Sequence, residues 1–357
     1  MADIIAFNRG VPPAESFPKE QLIESARKVI SNEGDQILQY GNPLGYEPLR
    51  EWISNRFNGT PAQVIMGQGS LQLLDIFIKT SLAAGDMVFF EQPTYDRTLT
   101  LFRRAGMELK GFTLRNGVMD GDEIEETLRN GIVPKAFYVI PDFQNPSGAE
   151  MPLELRKRLI RLAEEFRFLI IEDGAYRHLR YYGQNLPRLI DLNPEHVIHM
   201  SSFSKMISPG MRVGFMVAGI EIINRLGKYA EDSFISTNFL NQAIIYDFIQ
   251  RGLMEDHILF LKDLYQERLK SILSALENHI VKSGTWIEPK GGFFTGVNLK
   301  QGFKQPDANM LTEKNIVLMA SHGFFIEGGD DFIRLPFCAL TPAQINEGIK
   351  RLAELIN

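Results

Sequence analysis

A single cysteine, Cys338, stands in 357 residues, which excludes an intrachain disulfide and any paired-cysteine metal site and suits a reducing compartment. No run of about 18 apolar residues occurs, as a membrane-spanning helix would need. The strongest stretches, such as Phe168-Leu-Ile-Ile171, last only a few positions. Positive charge is in deficit: 38 Lys and Arg against 44 Asp and Glu leave −6, so the basic footprint of a nucleic-acid or anionic-membrane partner is missing. The amino terminus lacks the basic stretch and apolar core of a secretory leader. The six histidines show no ligand spacing, and His196 and His199 fall on opposite faces of one strand, so no metal is expected. These absences predict a cytoplasmic protein without disulfide, metal, nucleic-acid or membrane partner.

What is present is ordinary globular text, 44% hydrophobic, long enough for two or three domains of ~100–200 residues. Short apolar runs alternate with amphipathic ones. Val64-Ile-Met66, Met87-Val-Phe-Phe90, Ala136–Ile140, Phe168–Ile171, Val197–Met200 and Gly214–Ala218 read as buried strands. Being near-continuously apolar, they suit a parallel sheet covered on both faces. Leu155, Leu159, Leu162, Ala163 and Phe166 mark a helix with Pro152 in its first turn. The fold class is therefore α/β, a large domain with a mostly parallel doubly wound sheet flanked by helices, plus a smaller α+β domain. Helical text near 255–278, strands near 291–298 and 332–335, and a final helix capped by Thr341-Pro-Ala-Gln344 compose the small domain. A long helix near 230–270 is expected to join the two. The divisions expected are 1–35 packing with the small domain, 36–250 the large domain and 251–357 the small one.

Ligands of open α/β sheets sit at the carboxyl ends of the strands, so the residues after each run carry the information. They are Gly67-Gln-Gly-Ser70, Glu91-Gln-Pro-Thr-Tyr95, Pro141-Asp-Phe-Gln-Asn-Pro-Ser-Gly148, Glu172-Asp-Gly-Ala-Tyr176 and Ser201-Ser-Phe-Ser-Lys205 through Arg212. Singly, each has a bland reading: turns at Asp173 and Asn145, packed tyrosines at 95 and 176, surface cations at 205, 212 and 334. Jointly they place a lysine, a carboxylate, an asparagine, two tyrosines, an arginine and a serine-bearing helix start at one sheet edge. Pyridoxal 5′-phosphate requires such a set: an amine for its Schiff base, a carboxylate for its pyridine nitrogen, donors for its phenolic oxygen and a phosphate cradle.

In this respect the chain resembles the fold type I pyridoxal-phosphate aminotransferases of class I/II. It is most similar to the branch of 2-aminoadipate and kynurenine aminotransferases and the aminotransferase-like halves of some bacterial regulators. The text that carries the resemblance is Tyr40-Gly-Asn-Pro-Leu-Gly45-Tyr-Glu-Pro-Leu-Arg50, Gly69-Ser-Leu-Gln-Leu-Leu-Asp75, Asp142–Gly148, Glu172–Tyr176, Ser202-Phe-Ser-Lys205 through Arg212-Val-Gly-Phe215, and Ile333-Arg-Leu-Pro-Phe337, in order along nearly the whole chain. The resemblance implies that Lys205 forms the Schiff base and moves the proton between substrate and cofactor. It implies that Asp173 pairs with the pyridine nitrogen, and that Asn145 and Tyr176 bond the phenolic oxygen. Tyr95 would stack on the ring. Gly69, Ser70, Leu71, Ser202 and Arg212 would hold the phosphate, and Tyr40 would reach it across a homodimer interface. Arg334, with Asn145 beside it, would hold the substrate carboxylate. The implied reaction moves an amino group from an L-amino acid to a 2-oxo acid, 2-oxoglutarate by default, in ping-pong fashion.

The chain departs from the family pattern at Leu71, where glutamine is frequent, at Glu327, where proline is usual, and in the short segment up to Gly10. Ser202-x-x-Lys205 also fits the penicillin-binding serine motif, but SDN and KTG are missing. The remaining alternatives are a lyase or decarboxylase on the same scaffold and a non-catalytic sensor domain. Against the sensor, the sequence begins directly in aminotransferase-like text.

Overall fold

The computed structural model describes residues 3–356. Twelve strands follow one another along them: β1 Ile5–Phe7, β2 Val64–Gly67, β3 Met87–Gln92, β4 Glu108–Thr113, β5 Ala136–Val139, β6 Leu169–Asp173, β7 Val197–Ser202, β8 Gly214–Val217, β9 Gly284–Trp286, β10 Phe294–Leu299, β11 Ile316–Leu318 and β12 Phe332–Pro336. Seven of them form one sheet in the order β2-β8-β7-β6-β5-β3-β4. Its apolar runs are explained by burial on both sides. Met66, Phe89, Phe137, Ile170 and Val197 face one core, backed by helices Leu153–Phe166, Glu47–Asn55 and Phe239–Gln250. Their neighbours Ile65, Phe90, Tyr138, Ile171 and Ile198 face the other, backed by helices Ser70–Ser81, Asp96–Arg104 and Ile220–Phe234. A strand whose two faces are both dry has no polar position to alternate with.

The structure corrects three local expectations. Strand β8 runs antiparallel to both β2 and β7, not parallel, because residues 203–213 are too few for a crossover helix. The helix expected across 230–270 is three helices, Ile220–Phe234, Phe239–Gln250 and Leu253–His279, interrupted where Ile235 (φ 66°) and Gly252 (φ 71°) leave helical geometry. Pro152 is the N-cap of helix Leu153–Phe166 rather than part of its first turn.

The C-terminal unit is an antiparallel sheet, β12-β10-β9. Its apolar side meets helices Leu253–His279 and Pro342–Ile356 through Leu269, Ile272, Leu276, Ile345, Ile349 and Leu352. Thr341 and Gln344 cap the last helix reciprocally, backbone to side chain at 3.0 and 3.3 Å. Strand β1 pairs in parallel with β11, while helix Lys19–Ile37 sends Val29 and Ile37 into the core of the seven-stranded sheet. Among the described residues no helix is long and apolar enough to cross a membrane.

Candidate active site

Because β2, β3, β5, β6 and β7 point the same way, their carboxyl ends open onto one edge. A cleft of about 160 Å³ lies there. It is lined by Gly69, Ser70, Leu71, Tyr95, Asn145, Asp173, Tyr176, Ser202, Lys205 and Arg212. Ten residues that the sequence pattern singled out thus meet in one place. Arg334 sits beside them on β12, its Nη1 donating to Asn145 Oδ1 at 3.3 Å. Tyr40 stays apart, 76% exposed just beyond helix Lys19–Ile37 and outside the cleft lining.

Asp173 is the last residue of β6, and no ordinary cation pairs with it among the described residues. Its carboxylate accepts the Tyr138 hydroxyl at 2.8 Å on Oδ2 and the Ala175 N–H at 3.2 Å on Oδ1. Burial raises its pKa, which those two donors and the nearby His199 and Lys205 oppose. The preceding residue, Glu172, accepts from His199 Nδ1 at 2.8 Å and from Leu189 N at 2.7 Å, so the strand end is fixed from behind.

Lys205 occupies the turn after β7. Its Nζ donates to the Gly10 carbonyl at 3.2 Å and lies 5.7 Å from the Phe293 ring centre. Burial lowers its pKa, with Arg212 and Arg334 acting in the same direction against Cys338 and Asp173. Burial thus favours the neutral amine, the form a base must take. Burial also raises the phenol pKa values of Tyr95, to about 12, and of Tyr176, keeping both as neutral O–H donors.

One end of the cleft is a helix start. Helix Ser70–Ser81 leaves its first N–H groups without intrahelical acceptors, and Arg212 bends over them to donate through Nη2 to the carbonyl of Gln68 at 2.7 Å. Two glycines make that approach possible. A Cβ on Gly69 (φ +88°) would meet Arg212 Nη2 at 2.4 Å, and one on Gly214 would meet the Ser70 nitrogen at 2.3 Å.

The other end is Arg334, 4% exposed, between the rings of Phe294 (5.0 Å) and Phe324 (4.5 Å). Its Nη2 donates to the Asn8 carbonyl at 2.7 Å, and its Nε is buried with no partner. It forms no ion pair among the described residues, and burial lowers its pKa. A buried guanidinium lacking a carboxylate is expensive unless an anion arrives from outside.

The loop bearing Asn145 is clamped by Asp142, whose oxygens take Arg156 Nη2 at 2.8 Å and Arg177 Nη1 at 2.9 Å. The segment around Glu327 is held by Arg103, whose Nη2 donates to the Phe325 carbonyl at 2.9 Å, and by Gln92. Four contributors escaped the sequence reading: Tyr138, Gly214 and the backbone carbonyls of Asn8 and Gly10. Only a tyrosine within an otherwise apolar strand run was a usable signal for the first.

The profile described as Aminotransferase class I and II matches residues 2–352. The chain belongs to the class I and II aminotransferases. This aminotransferase is 33% identical to the 2-aminoadipate transaminase of Thermus thermophilus, over 99% of its own length and 90% of that protein's. It is 32% identical to aromatic-amino-acid aminotransferase 1 of Thermococcus litoralis, over 99% and 88%. The solved α-aminoadipate aminotransferase of Thermus thermophilus, in complex with N-(5′-phosphopyridoxyl)-L-leucine, superposes with a TM-score of 0.92 at 32% identity, covering 99% of this chain and 92% of that one. The enzyme has the fold type I architecture and uses pyridoxal 5′-phosphate. The cleft suits that group: a buried carboxylate for a protonated ring nitrogen, a poised amine for an aldehyde, and a helix start with Arg212 for a phosphate.

Proposed function

We propose that the enzyme passes the amino group of an L-amino acid to 2-oxoglutarate, working as a homodimer in the cytoplasm, with the residues of this cleft in the following roles. The observation that carries the reading is the unpaired, buried Arg334 at the edge of the cleft that holds Lys205 and Asp173. A guanidinium with no carboxylate partner there selects a substrate with a carboxylate next to the reacting carbon. Bound pyridoxal 5′-phosphate supplies the electron sink that makes removal of the substrate Cα proton feasible.

The chain's own residues do the rest. Lys205 takes the Cα proton and returns it on the other side of the exchange, as a desolvated amine can. Asp173 holds the proton on the ring nitrogen. Asn145 keeps its amide N–H groups free for the phenolic oxygen, because its Oδ1 is already turned to Arg334. Tyr176 supplies the second donor, and Tyr95 covers the ring. Ser70, Leu71, Ser202 and Arg212 bind the phosphate, with Leu71 offering backbone alone. Arg334 grips the substrate carboxylate through paired N–H groups, which lysine lacks.

The dimer reading is supported by the surface around the phosphate end. Arg212 lines both the cleft and an adjoining groove of about 630 Å³ that also includes Gln72, Asp75 and Arg104. Tyr40 of a second copy seated there completes the phosphate site. Cys338, a buried free thiol, fits a reducing compartment.

The direct test is a panel of amino acids mixed with the holoenzyme, following conversion of the cofactor's visible band to the pyridoxamine form. Stoichiometric conversion, reversed by 2-oxoglutarate, is the expected result. Release of ammonia or carbon dioxide instead would overturn the transfer reading. Gly214→Ala tests the phosphate end. Overpacking costs about 1–3 kcal/mol, so cofactor affinity should fall about tenfold or more in a spectral titration. Unchanged affinity would remove the helix start from the site.

A further inference from the structure

The Asp173 carboxylate sits on a problem of charge. It is buried, no arginine or lysine lies within ion-pair distance among the described residues, and burial favours the neutral acid. A neutral acid cannot act as counter-ion to a protonated ring nitrogen. The neighbouring strand carries the remedy. Tyr138, fully buried on β5, reaches across to β6 and donates to Asp173 Oδ2 at 2.8 Å. It does not line the cleft, so it touches Asp173 and not the ligand. Burial raises the phenol's pKa, which the buried Thr98 hydroxyl beside it, having no other partner, opposes. Of the other titratable groups near Asp173, His199 spends its Nδ1 on Glu172 and Lys205 donates to the Gly10 carbonyl.

We propose that Tyr138 is a positioning residue for the transamination: its O–H locks the plane of the Asp173 carboxylate and keeps it ionised, and so sets how fully the cofactor's ring nitrogen is protonated. The proposal rests on the reading of Asp173 as the partner of that nitrogen.

A neutral donor to a buried anion acts only on the charged form, so its loss should be felt in chemistry rather than in substrate capture. The test is Tyr138→Phe in holoenzyme loaded with ¹⁵N-labelled pyridoxal 5′-phosphate, alongside Asp173→Asn and the double variant. The expected result is a ¹⁵N shift moved toward the unprotonated ring, kcat about ten- to a hundredfold lower with amino-acid KM nearly unchanged, and faster cofactor loss. In the Asp173→Asn background, Tyr138→Phe should add nothing. That double variant carries no unpaired buried charge, so it keeps the test available if the single one is poorly folded. A wild-type ¹⁵N shift in Tyr138→Phe, with Asp173→Asn moved, would overturn this proposal alone. An unmoved shift in Asp173→Asn would overturn the underlying role of Asp173 as well. Additive effects in the double variant would overturn the idea that Tyr138 acts through Asp173.

Discussion

Replacing Lys205 by alanine should abolish the visible absorbance of the holoenzyme and lower kcat by about 10⁴-fold, the upper end of what a general acid–base group contributes. The size follows from its position. Among the described residues no other amine lines the cleft, and the carbonyl of Gly10 fixes Nζ at 3.2 Å. Burial pushes the amine's pKa below its ordinary value, so the neutral form gains over a surface lysine at the same pH. Lys205 is a free amine only while substrate occupies the site, so on the acid limb kcat should rise with pH through that lowered pKa and level off above it. The sign for stability runs the same way. The unfolded chain binds this proton more tightly, so charging Lys205 costs the apoprotein stability at neutral pH and the cost eases as pH rises. A Lys205→Ala enzyme that kept its band and its single-turnover rate would remove the lysine from the mechanism.

Arg334→Ala should raise the amino-acid KM about a hundredfold or more, from the loss of two charged hydrogen bonds at ~1.5–3 kcal/mol each. Cofactor affinity should hardly change, because the guanidinium lies beyond Asn145 from the phosphate end. Arg334→Lys should recover little: a point charge cannot reproduce the planar fork. Since Nη2 also holds the Asn8 carbonyl, some of the loss will come from a loosened amino-terminal strap. Titration of substrate against cofactor separates the two readings. Equal losses in both would deny Arg334 its carboxylate.

The central strands were legible because burial on two faces writes an uninterrupted apolar run. Strand β4 was not, since Glu108-Leu-Lys-Gly-Phe-Thr113 is an edge strand with half-exposed positions and no such run. The direction of β8 was equally hidden, because apolar text is the same read along either sense of a strand. At the small end, β1 and β11 lie at opposite ends of the sequence, and nothing local in three-residue strands names a partner.

The cleft divides along the same line. Lys205, Asp173, Asn145, Tyr176, Ser70 and Arg212 could be named from residue type and order, because each lies just after or beside a strand end, where short-range sequence fixes position. Tyr138 against Asp173, Gly214 against Ser70, and the carbonyls of Asn8 and Gly10 against Arg334 and Lys205 are contacts between distant segments. Chemical identity and strand order were written in the chain itself. Which polar atom meets which was decided only by sheet register and by the packing of the amino-terminal strap, since hydrogen bonds are short and directional and distant sequence cannot aim them.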